Sequence, residues 1–129
     1  MPLMKFDVIE GRTDAEIKTL LDAAHRAMVA AFKVPERDRY QIPPGAQTFA
    51  HIVEDTGLGI DRTDKVVVVQ VVSRPRTKEK KQALYQLMCE ELEKSCGIAP
   101  SDVMVAIVEN TDEDWSFGLG RAQFLTGDL

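Results

Sequence analysis

An internal repeat constrains the fold more than any other feature of the sequence. Displaced by 64 positions, the 129-residue chain lines up with itself. Arg12-Thr13 falls on Arg76-Thr77, Leu20 on Leu84, Met28 on Leu92, Val34 on Ile98 and Asp38 on Asp102. The order of elements repeats with the residues. Each half opens on an extended apolar run, Leu3 to Ile9 and then Val66 to Val72. Each continues into a stripe at helical spacing. The first is Ile17, Leu20, Leu21, Ala24, Met28 and Phe32; the second is Leu84, Leu87, Met88, Leu92 and Cys96. Steps of three and four keep such residues on one face of a helix. Thr13 with Glu16 reads as a capping box, Thr77 as a plain N-cap and Gly97 as a helix stop. Each half then closes on a second strand. The later one, Val103 to Val108, is plain. The earlier falls within Tyr40 to Val53 and is interrupted by Pro43-Pro44-Gly45.

The expected architecture is α/β, in one domain spanning 1–129. It comprises two β-α-β units, about 2–53 and 66–108, and a C-terminal tail. A helix between two strands implies a parallel pair with a right-handed crossover. Two such units related by a pseudo-twofold give a four-stranded sheet with both helices on one face. Val66-Val67-Val68-Val69 has no polar alternation, so its strand is expected to be buried on both faces. Two helices cover only one face, so a partner subunit is expected over the other.

Composition narrows the partners. The net charge of -5 argues against nucleic acid or an anionic membrane surface. Lys5, Asp7 and Glu10 interrupt any early apolar run, so no signal peptide is expected. The longest apolar run, Val66 to Val69, is too short to span a bilayer. Cys89 and Cys96 lie seven apart in a helical pattern and read as free thiols, which fits a reducing cytoplasm. His25 reads as part of a helix flank and His51 as a loop or strand residue. Neither has metal-ligand spacing with the other or with the cysteines. Gly57-Leu58-Gly59 and Gly118-Leu119-Gly120 read as turns. No metal and no organic cofactor is expected.

Four places carry candidate chemistry. The chain begins Met1-Pro2, the setting in which the initiator methionine is commonly removed. Pro2 would then present a secondary amine able to act as base, acid or nucleophile. Arg74 and Arg76 flank Pro75 where the third strand meets the second helix. One reading is a solvated basic turn, continued by Lys78, Lys80 and Lys81. The other is a carboxylate site. The helix dipole disfavours cations at that end, so the pair calls for an anion, and two guanidinium forks suit a carboxylate. Asp38 and its repeat partner Asp102 both precede a strand, where either could bond local backbone; only one of them can lie near Pro2. Trp115 and Phe117 stand two apart in the tail and suit either a subunit contact or a pocket wall.

Met-Pro ahead of a β-α-β repeat resembles the tautomerase superfamily. Within it the chain most resembles the malonate semialdehyde decarboxylases. The matching stretches are PLMKFDVIEGRTDAEI, VPERDRY, EDTGLG, VVSRPRTKEKK and ENTDEDWSFGLGRAQFLTGDL, nearly the whole length. The segment QIPPGAQTFAHI does not match. The resemblance implies a homotrimer in which Pro2, Asp38, Arg74 and Arg76 carry the chemistry. It implies that Trp115 and Phe117, with the arginines, line the substrate pocket. The implied reaction is cofactor-independent decarboxylation of a small 3-oxo acid, malonate semialdehyde, to acetaldehyde and CO2. A tautomerase or a hydratase-dehalogenase acting on a small unsaturated or 2-oxo acid is the alternative enzyme. A non-catalytic trimer that binds a partner protein is the alternative from another class.

Overall fold

A computed structural model of the chain describes residues 2–45 and 53–129. The elements run β1 (Leu3–Val8), α1 (Asp14–Phe32), β2 (Tyr40–Ile42), β3 (Val67–Ser73), α2 (Lys78–Cys96), β4 (Val103–Glu109) and α3 (Gln123–Thr126). Single 3-10 turns, Pro100–Asp102 and Asp112–Asp114, precede and follow β4. The sheet order is β2-β1-β3-β4. β1 is parallel to β2, and β3 is parallel to β4. The two units meet where β1 runs antiparallel to β3. This is the expected doubled β-α-β sheet, with the pseudo-twofold passing between its two central strands.

The helices begin and end where their termini are satisfied. Thr13 accepts from the Glu16 amide while the Glu16 carboxylate accepts from the Thr13 amide, at 3.1 and 2.9 Å. Thr77 makes only the first of these bonds, to Lys80 at 3.2 Å. Gly97 ends α2 in the left-handed conformation, φ 68°. Its repeat partner Lys33 ends α1 in the same conformation, φ 56°, despite its side chain.

One face of the sheet makes the core. Met4, Phe6 and Val8 of β1 and Val67, Val69 and Val71 of β3 are buried against Leu20, Met28 and Phe32 of α1 and Leu84, Met88 and Leu92 of α2. Within one chain β3 alternates: Val68 and Val72 are half-buried and Gln70 is exposed, and the expected burial of both faces calls for a partner subunit over the second. Its opposite face has no cover from the chain's own helices. His25 is part of a helix, as expected: it lies on the buried side of α1, with Nε2 2.8 Å from the carbonyl of Glu36. β2 is short, and Pro43, lacking an amide hydrogen, stands immediately after it. The rest of the expected first closing strand, with His51, lies partly outside the described residues. Among the described residues, no helix is long and apolar enough to cross a membrane.

Candidate active site

Strand register gathers the candidate residues at one end of the sheet. Leu3 pairs with Tyr40 on one side and with Val72 on the other, and Ser73 pairs with Glu109. Pro2, one residue before Leu3, therefore sits in the row formed by Arg39, Ser73 and Glu109. It is fully buried. Arg74 and Arg76 follow Ser73 directly, as β3 gives way to α2. Asp38 is half-buried in the loop that leads into β2, on the same side of the molecule.

The two arginines are held differently. Arg74 Nη1 meets Asp112 Oδ1 at 3.0 Å, and its guanidinium carbon lies 3.9 Å from the centre of the Phe124 ring. The ion pair is open to water, worth about 0–1 kcal/mol in such a setting. Arg76 has no carboxylate on its guanidinium among the described residues. Its Nη1 reaches only the Pro75 carbonyl, at 3.3 Å, and its guanidinium lies 5.3 Å from the Phe32 ring centre. The nearby Glu109 carboxylate is taken up elsewhere, by the Arg76 backbone amide at 3.0 Å and Lys81 Nζ at 2.9 Å. Burial above all, and then the like charge of Arg74, lowers the pKa of Arg76. The Nε of each arginine is buried without a hydrogen-bond partner. A buried donor left unpaired costs about 1–3 kcal/mol. Two such donors, on cations near enough to repel one another, are able to serve an anion with several acceptor oxygens.

The tail supplies an apolar wall beside them. Asn110 donates its amide to the Ser73 carbonyl at 2.9 Å and accepts from Trp115 Nε1 at 2.7 Å. This ties the tail to the end of the sheet. Phe117 is the hub of the wall. It stacks on Trp115 at 5.5 Å and 10°, tilts against Tyr40 at 5.5 Å, and meets Phe124 edge-on at 5.4 Å. Gln123 fixes the turn between them, accepting from the Phe117 amide and donating to the Gly118 carbonyl, both at 2.9 Å. The wall runs from Phe124, under Arg74, to Tyr40, two residues after Asp38. Asp38 and Tyr40 line a cleft of about 350 Å3 with Pro35, Arg37 and Leu129.

The repeat partner Asp102 lies elsewhere. It precedes β4 at the opposite end of the sheet, is buried, and accepts from both the amide and the hydroxyl of Thr63. Its carboxylate is committed to holding a loop. Of the two aspartates, Asp38 is the one on the Pro2 side. Tyr40, Phe124 and Asp112 are neighbours of the site that the sequence reading did not single out. The aromatic content of the tail was a usable signal for Phe124. Asp112 is one of several tail acids, and nothing in the sequence distinguishes it.

Fold and cleft define a class: small α/β domains made from a doubled β-α-β unit, with one polar site at the end of the sheet where the chain begins. The chain belongs to the tautomerase superfamily. The model of a family described as tautomerase enzymes matches residues 38–118. A Bacillus subtilis (strain 168) protein named Probable tautomerase YrdN is 56% identical over all of both chains. Among solved structures, a malonate semialdehyde decarboxylase studied for its decarboxylase and hydratase activities is 58% identical. It covers 98% of each chain with a TM-score of 0.94. A second malonate semialdehyde decarboxylase, inhibited by 3-bromopropiolate, is 40% identical over 98% of this chain and 97% of its own, TM-score 0.92. A fused 4-OT described as a symmetric trimer shares the fold at 22% identity, 97% and 98% coverage and TM-score 0.75.

Proposed function

We propose that the chain is a cofactor-independent decarboxylase of a small 3-oxo acid, malonate semialdehyde, acting as a homotrimer in the cytoplasm with Pro2 as its amino-terminal residue. The observation that carries this reading is the pair of buried, unpartnered Nε donors on Arg74 and Arg76 beside a buried Pro2. Similarity to two malonate semialdehyde decarboxylases supports it.

In this reading the arginines clamp the substrate carboxylate and turn it so that its C–C bond overlaps the carbonyl π system. That bond then breaks, its electron pair moves onto the aldehyde, and CO2 leaves. Pro2 receives the developing charge. As a protonated amine it hydrogen-bonds to the enolate oxygen; as a nucleophile it forms a Schiff base that accepts the electron pair. Protonation at carbon then yields acetaldehyde directly from the enolate; from the enamine it yields an iminium, which water hydrolyses to acetaldehyde and free Pro2. The carboxylate loses its charge as it departs, which the wall of Trp115 and Phe117 favours. Asp38 holds Pro2 in its cationic form or positions a water. With Met1 attached, Pro2 nitrogen is an amide and none of this chemistry is open to it.

The test is direct. Protein whose first residue is shown by mass spectrometry to be Pro2 is incubated with malonate semialdehyde, and acetaldehyde is measured. Turnover that survives with Met1 intact, or no acetaldehyde at all, overturns the proposal. The second reading, a tautomerase using neutral Pro2 as base on a 2-oxo acid, is favoured by the name of the curated relative. Ketonisation of a small 2-hydroxy-2-enoate, without acetaldehyde formation, would favour it.

A further inference from the structure

The repeat places a counterpart of the arginine site at the other end of the sheet. Arg12 stands where Arg76 stands in the second unit, Cys96 where Phe32 stands in the first, and Val66 where Pro2 does. The correspondence is one of geometry as well as sequence. Arg12 Nη2 donates to the carbonyl of Lys65 at 2.7 Å, the residue immediately before Val66. Its other terminal nitrogen, Nη1, is buried with no hydrogen-bond partner.

That guanidinium borders a cleft of about 290 Å3 between the first turns of α1 and the last turn of α2. Thr19, Ser95 and Cys96 supply hydroxyls and a thiol to the lining. A second guanidinium stands at the rim, where Arg26 Nη2 donates to Ser95 Oγ at 2.8 Å. Two carboxylates are near, and both are engaged. Glu16 accepts from the Thr13 amide at 2.9 Å in the capping box, and Glu91 pairs with Arg26 Nε at 3.1 Å. Arg12 and Arg26 both act to lower the pKa of the Cys96 thiol, against burial, which raises it more. Both cations are therefore within electrostatic reach of the cleft.

We propose that this cleft is a second binding site for a small carboxylate, held by Arg12 with Arg26 at its rim, and that it binds without turnover. The orphaned Nη1 supplies the donor, and a carboxylate oxygen supplies the missing acceptor. Turnover is ruled out by covalent structure. The nitrogen of Val66 is a peptide amide, already donating to the Thr63 carbonyl at 3.3 Å. It has no basic lone pair to offer where Pro2 would have one. The cleft is thus the second unit's remnant of the site, keeping the anion clamp without the amine. The inference extends the carboxylate reading of Arg76 but does not depend on the reaction assigned to Pro2.

The experiment is an amide NMR titration of the labelled full chain with sodium malonate at constant ionic strength. Two separate groups of signals should move and saturate, one at Ser73, Arg74 and Arg76, the other at Thr19, Ser95 and Cys96. Arg12→Gln should weaken the second group about tenfold or more and leave the first in place. Arg76→Gln should do the reverse. If Arg12→Gln disturbs the fold, Arg12→Lys keeps the charge without the fork and should weaken the second group several-fold. Absent or non-saturating shifts at Thr19, Ser95 and Cys96 overturn the proposal, as do shifts unchanged in the Arg12 variants. Loss of the first group alone overturns the carboxylate reading of Arg76 and leaves the second site standing.

Discussion

At the scale of residues the sharpest claim concerns Arg76. Its guanidinium is half-buried, lacks a carboxylate partner among the described residues and has an orphaned Nε. A charge-assisted bond to a desolvated carboxylate is worth about 1.5–3 kcal/mol. Arg76→Ala should therefore lower kcat/KM by roughly tenfold to a hundredfold. The exposed Lys78, in the first turn of α2, should tolerate alanine with no measurable change. Equal losses in steady-state assays of the two variants would refute the clamp. The charge on Pro2 gives a second prediction. A free α-amine titrates near about 7.7–8.0. Decarboxylation with cationic Pro2 predicts a kcat that holds through neutral pH and falls on the alkaline side. A base mechanism predicts loss on the acidic side instead. Asp38→Asn should move the alkaline limb to lower pH, because the neutral amide no longer favours the cation. A pH profile with only an acidic limb would sink the decarboxylase reading. The sequence made Pro2, Arg74 and Arg76 visible because each breaks a local rule: a proline beside the initiator, cations at the wrong end of a helix. Phe124 and Tyr40 break no rule. They join the site through side-chain packing between elements distant in sequence, and beyond the aromatic content of the tail, which marks Phe124, no local pattern records it.

At the scale of elements the two units are near copies, and their differences can be tested. Lys33 and Gly97 end equivalent helices in the same left-handed conformation. That conformation costs a residue with a side chain roughly 1–2 kcal/mol. Lys33→Gly should raise the unfolding midpoint and Gly97→Ala should lower it. Nothing lies within 4 Å of a Cβ added at Gly97, so the loss should reflect backbone conformation alone. Thermal melts showing the opposite order would contradict this. A pH effect belongs at the same scale. Asp22 on α1 pairs with Lys18 at 2.8 Å and with Arg39, just before β2, at 2.7 Å. Hydrogen bonds from Lys18 and then Arg39 hold its pKa at about 2. The unfolded value is near about 3.9. Because the folded value is the lower one, the contribution is present above about pH 4 and is lost as pH falls toward 2. The stability gap between wild type and Asp22→Asn should therefore narrow over that window in denaturant titrations. The fold was legible because apolar spacing and caps repeat at one fixed offset. β2 was poorly legible because it is only three residues long and is followed at once by Pro43. The run of valines in β3 suits a strand covered on both sides; one chain covers only one of them, so the second face calls for a partner.

At the scale of the molecule, that uncovered face is the main unfinished surface. Val68 and Val72 are half-buried on it. Met104 is paired with Val68 and 43% exposed, and Val108 is paired with Val72 and 63% exposed. Leu3, opposite Val72, extends the patch onto β1. Lys5 and Asp7, opposite Gln70 and Val68 in register, make its border polar. An apolar centre with a polar border is what a subunit interface presents, and burying it gains about 25 cal/mol per Å2 of apolar surface. The expected cover is two further copies of the chain. Sedimentation should show a trimer at micromolar concentration, and the thermal midpoint should rise with protein concentration, because association stabilises the folded state by mass action. Replacing Met104 and Val108 together by aspartate puts charges into the centre of the contact, where each is expensive unless paired. That variant should sediment as a monomer with a midpoint independent of concentration. Its helices and core lie on the other face, so far-ultraviolet circular dichroism should still report the native fold. A wild-type chain that sediments as a monomer, or a doubly substituted one that remains trimeric, would show that this face is not where the subunits meet.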